Sequence, residues 1–162
     1  MNRGSTLFLK FVIGLIAVGA LAICIYALPA IAADDAARHP ELAWQQYPFL
    51  GYSYILCLAF FIALFQAFKL LTYIDNNRSF SEQSVRSLKI MKYCAIIIVA
   101  MMVIAILIVM IMASGEGDDI TGVVMMGLIV TFVAAVGATI VAVLQRHVEK
   151  AIELKSENDL TV

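Results

Sequence analysis

Four long stretches of this chain carry no charged residue. They are residues 11–33, 42–68, 93–115 and 120–145, each at least 23 positions long. A helix needs about 20 apolar residues to cross the hydrocarbon core of a bilayer, so each stretch is long enough for one span. Backbone groups in lipid must find partners within the protein, and the alternation expected of barrel strands is absent. The spans therefore read as helices, with predicted bounds of 7–28, 49–73, 82–113 and 120–156. Pro29 is expected to close the first, since proline ends or kinks a helix. The Asp/Asn-rich segment 75–79 reads as a turn. Ser81 then caps the third helix, with Phe80 and Val85 placed as a hydrophobic staple. Nothing breaks that helix until Ser114-Gly115, so it is about 48 Å long at 1.5 Å per residue. That exceeds the hydrocarbon thickness of about 30 Å, and its first turns should lie outside the lipid. The expected fold is all-α: an integral membrane four-helix bundle forming a single domain, 1–162.

The polar positions between the spans give sidedness. Ten of the eleven Lys and Arg residues fall on one side. Arg3 and Lys10 precede the first span. Lys69, Arg78, Arg86, Lys89 and Lys92 surround the second connection, and Arg146, Lys150 and Lys155 follow the last span. Only Arg38 lies on the other side. By the positive-inside rule both termini and the middle connection are cytoplasmic, with the third and fourth helices extending into the cytoplasm. Trp44, Tyr47, Tyr52 and Tyr54 read as an outer aromatic belt, and Tyr73 and Tyr93 as an inner one. The first span resembles a secretory signal, with a small-x-small site at Ala30-Ile31-Ala32. Its apolar run is longer than the 7–15 residues usual for a signal core, so it is expected to remain as a helix.

Composition agrees with this class. The chain is 63% hydrophobic, whereas soluble domains are nearer to half apolar. No charged residue lies near the centre of a span, which argues against an ion-coupled pump or transporter. His39 and His147 are expected on opposite sides of the bilayer and so cannot share a site. No zinc-protease, nucleophile-elbow or phosphate-loop motif is present. No catalytic, cofactor-binding or metal-ligating residue is therefore assigned, and the chain is expected not to be an enzyme. Cys24, Cys57 and Cys94 lack metal-site spacing and read as small packing residues, with Cys24 and Cys57 at similar depth.

Two other patterns suggest surfaces. Gly127, Thr131, Ala135 and Thr139 recur every four positions on the last helix, a stripe suited to close helix packing within the bundle or in a homo-oligomer. Arg86, Lys89 and Lys92 recur every third residue at the start of the third helix, beside Val85 and Leu88. An amphipathic basic segment at a membrane surface suits lipid headgroups or an acidic protein partner. The patch is too small for nucleic acid, and acids interrupt the basic tail. The candidate partner-binding residues are Arg78, Phe80, Ser81, Val85, Arg86, Leu88 and Lys89. The alternative reading is a small oligomeric channel, exporter subunit or immunity-type membrane protein.

The segments Ser79-Phe80-Ser81-Glu82-Gln83-Ser84-Val85-Arg86-Ser87-Leu88-Lys89 and Leu154-Lys155-Ser156-Glu157-Asn158-Asp159-Leu160-Thr161-Val162 resemble a bacterial four-helix membrane family. It is known as domain of unknown function twenty-nine seventy-five. The family tends to have Asn where this chain has Ser84, and often Pro where it has Ser79. The resemblance implies a protein of the bacterial cytoplasmic (inner) membrane and brings no catalytic residues. Such genes often lie beside one for a small helix-turn-helix DNA-binding regulator. That company implies a regulatory role, with the regulator docked on the 75–92 loop and the C-terminal tail.

Overall fold

The computed structural model describes residues 3–38, 40–76, 81–113 and 121–160. All regular structure among them is helical. The chain begins with α1 (Arg3–Ala22), passes through one π-helical turn (Ile23–Ala27) and continues as α2 (Leu28–Arg38). A short 3-10 segment (Pro40–Gln45) leads into α3 (Gln46–Asp75), followed by α4 (Glu82–Ala113) and α5 (Thr121–Leu160). Among the described residues, four helices are long and apolar enough to cross a membrane, with α1 and α2 together making the first.

The first helix does not stop at Pro29 as expected, but runs on to Arg38. Proline lacks an N–H, and its ring crowds the carbonyl four residues earlier. The π-turn lies directly before it, where the Leu28 N–H bonds back to the Ile23 carbonyl. A widened turn moves the crowded carbonyl aside, so the helix absorbs the proline. Pro48 costs little for a different reason. It lies in the first turn of α3, where no intrahelical N–H bond is lost.

The start of α4 is set by Ser81. The Ser84 N–H donates to Ser81 Oγ at 3.3 Å, and the Ser81 carbonyl accepts from the N–H groups of Ser84 and Val85. This satisfies donors that every helix leaves open at its N-terminus.

The helices pack mainly in chain order. α1 and α2 rest on α3, α3 rests on α4, and α4 makes its most extensive contact with α5. Few residues are fully buried, and the accessible surface is 11381 Å². A compact soluble protein of this mass exposes about 8,000 Å². The excess is apolar: Phe8, Phe11, Ile111 and Phe132 are each more than two-thirds exposed. Such a surface suits acyl chains, against which outward-facing apolar side chains cost nothing.

Specific contacts take over where the hydrophobic effect is absent. The Tyr52 hydroxyl donates to the Met101 carbonyl, joining α3 to α4. Tyr52 thus turns inward rather than joining the aromatic belt, while Trp44, Tyr47 and Tyr54 remain exposed. At Gly127, α5 approaches α4 closely. A methyl group added there would lie 3.0 Å from Ile106 Cγ1 and 3.2 Å from its Cδ1. Along the same stripe Thr131 Oγ1 donates to the Gly127 carbonyl, and Thr139 Oγ1 to the Ala135 carbonyl. These threonines satisfy their own hydroxyls inside the helix.

Candidate docking surface at the basic end

α4 and α5 are longer than a bilayer requires. At 1.5 Å per residue they span about 48 and about 60 Å. Their uncharged parts begin at Tyr93 and end at Gln145, so the first turns of α4 and the last turns of α5 project together. Both carry bases there, as do the neighbouring ends of α1 and α3.

Each helix of this projecting pair has buried residues near its basic end. Ser84, Ser87 and Leu88 of α4 are buried, as is Gln145 of α5. Gln145 Nε2 donates to Glu149 Oε1 at 2.8 Å, one turn along the same helix. Its Oε1 is buried without a hydrogen-bond partner. Nearby lies an open groove of about 440 Å³, lined by Glu82 and Val85 of α4 and by Glu149, Ile152, Glu153, Ser156 and Glu157 of α5. Two aliphatic side chains therefore lie among four carboxylates.

The residues singled out from the sequence are distributed unevenly around this end. Arg86 and Lys89 are exposed on α4, available to a partner or to headgroups. Val85 lines the groove. Ser81 is occupied as the helix cap. Leu88 needs correction as a contact residue: it is only 1% exposed. It falls on the same face as Ser84, one turn earlier, and that face turns toward the neighbouring helices. Arg78 and Phe80 lie outside the described residues. Of the packing stripe, Gly127 is buried against α4, Thr131 and Ala135 are half-buried, and Thr139 is exposed.

Two features escaped the sequence reading. The groove is one, although Glu149, Glu153 and Glu157 at four-residue spacing beside Ile152 were its visible trace. The other is an ion pair between Lys10 Nζ and Asp75 Oδ2 at 2.5 Å, which joins the start of α1 to the end of α3. Lys10 also lies over the Phe68 ring, 5.6 Å from its centroid. Lys69 and Lys92 lie similarly over Phe65 and Tyr93. Lysines at this level thus hold their ammonium groups over aromatic faces. Away from this end, Cys24 and Cys57 bring their sulfurs to 2.7 Å. Among the described residues, no group of three or more His, Cys, Asp or Glu side chains is placed to hold a metal ion.

Comparison with known proteins identifies the lineage. Residues 30–162 match the family model described as protein of unknown function (DUF2975). The chain belongs to this family. It is also 44% identical to the uncharacterized membrane protein YoaS of Bacillus subtilis (strain 168), over 162 residues and the whole of both chains. No solved structure matches it. The DUF2975 match begins at residue 30 and so covers the last three spans, the groove and both motifs noted in the sequence. With four candidate spans, this family member is a multi-pass membrane protein.

Proposed function

We propose that this DUF2975 protein is a non-enzymatic docking protein of the bacterial cytoplasmic membrane, with its basic end in the cytoplasm. The four helices anchor a short two-helix platform, and a soluble regulatory protein binds there. The observation that carries this reading is the joint projection of α4 and α5 past their uncharged segments, with a groove between them. The distribution of Lys and Arg supports the sidedness. The partner class that fits the family resemblance is a small helix-turn-helix DNA-binding regulator. It would meet Arg86 and Lys89 on the outer face of α4 and Val85 and Ile152 at the groove.

The oligomeric channel reading has less support, because the small-residue stripe of α5 meets Ile106 of its own chain at Gly127. The test of docking is direct. The full chain is placed in lipid nanodiscs and titrated with a small helix-turn-helix DNA-binding regulator. Arg86→Glu with Lys89→Glu reverses two exposed charges and should weaken capture about tenfold or more. Equal capture by the wild type and the double variant would remove this face from the proposal.

A further inference from the structure

We propose that Cys24 and Cys57 form a disulfide inside the membrane, made by a lipid-soluble quinone, which fastens the first helix to α3. The two sulfurs lie 2.7 Å apart, and both are free thiols in this structure. Cys24 is buried and belongs to the π-helical turn, while Cys57 is half-buried near the middle of α3. The antiparallel register agrees with their meeting. Lys10 pairs with Asp75 at the basic end, and Cys24 lies about 21 Å further along its helix from that pair. The sulfurs are already in contact at 2.7 Å, against a bonded separation of about 2.05 Å.

The location selects the oxidant. A charged, water-borne disulfide such as oxidised glutathione stays out of the acyl phase and does not reach the pair. A quinone dissolves in the acyl phase and accepts two electrons and two protons. The Cys24 and Cys57 S–H bonds break and one S–S bond forms. Both electrons and both protons pass to the quinone oxygens, giving the hydroquinone. Cys94, buried separately on α4, takes no part.

The experiment uses the full chain in sealed vesicles, with and without a lipid-soluble benzoquinone. Remaining thiols are alkylated under denaturing conditions, and the protein is analysed by mass spectrometry. With quinone, the chain should lose the mass of two hydrogens, yield one peptide pair joined through Cys24 and Cys57, and be alkylated at Cys94 alone. Cys94→Ser should leave the bond intact, and Cys24→Ser or Cys57→Ser should abolish it. Oxidised glutathione outside the vesicles should leave all three thiols free. Free Cys24 and Cys57 after quinone treatment, a quinone adduct on either, or a bond involving Cys94 would overturn the proposal. So would a glutathione adduct on either member of the pair.

Discussion

The α4–α5 pair and the α1–α3 pair are both antiparallel helices in one bundle, yet they are held differently. α4 and α5 pack along most of their length. They meet closely at Gly127 inside the uncharged region, and Ser84, Leu88 and Gln145 toward their basic ends are buried. α1 touches α3 more sparingly, through Lys10 and Asp75 at one end and Cys24 and Cys57 further along. In lipid there is no hydrophobic force between helices, so close packing and polar contacts decide which pairs are firm. One pair uses a glycine and extensive contact. The other relies on a few discrete contacts, which chemistry can strengthen or remove. The groove lies on the firm pair, which is where the proposed platform would sit.

Substitutions at the buried positions of α4 and α5 should therefore cost most. Leu88→Ala removes a side chain that is 1% exposed. It should destabilise the folded protein by about 3 kcal/mol, as buried leucine truncations do. Titration with denaturing detergent, followed by circular dichroism, reads this as a lower midpoint. A loss below about 1 kcal/mol would mean that the packing around Leu88 is looser than its burial implies. Gly127→Leu comes next. The added side chain starts within 3.0 Å of Ile106, and overpacking of this kind costs about 1–3 kcal/mol. Ile106→Ala in the same chain should restore part of that loss, because it vacates the space the new side chain needs.

The sequence made the spans legible because lipid imposes a strong rule. An uncharged run longer than 20 residues has few other fates, and charges at its ends mark where it stops. The start of α4 was equally readable, since Ser81 had one evident use as a cap. Pro29 was misleading: a local rule ended the helix there, and a π-turn five residues long absorbed the ring instead. Leu88 was misread for a related reason. At the start of α4 the periodicity identifies an apolar face without saying whether a partner or the protein itself covers it. The acids of the tail were visible, but their relation to Glu82 depends on how α4 and α5 sit side by side, which no single segment encodes.

Smaller effects are expected on the α1–α3 side and at its junction with α4. Tyr52→Phe deletes the hydroxyl that donates to Met101. Interhelical hydrogen bonds in membranes average about 0.6 kcal/mol, so a modest shift in the same detergent titration is expected. Lys10→Met and Asp75→Asn should each cost about 0.5 kcal/mol, because both side chains retain solvent contact, at 22% and 28% exposure. The two losses should not add, since either substitution breaks the same pair. A further separation comes from salt. Raising ionic strength screens a partly exposed ion pair but leaves apolar packing almost untouched. Wild type should therefore lose its advantage over Lys10→Met at high salt, while the deficit of Gly127→Leu persists. If the Lys10→Met deficit persists as well, its cause is lost packing of the lysine stem on Phe68, 5.6 Å from the ammonium, and the α1–α3 pair depends on contact more than on charge.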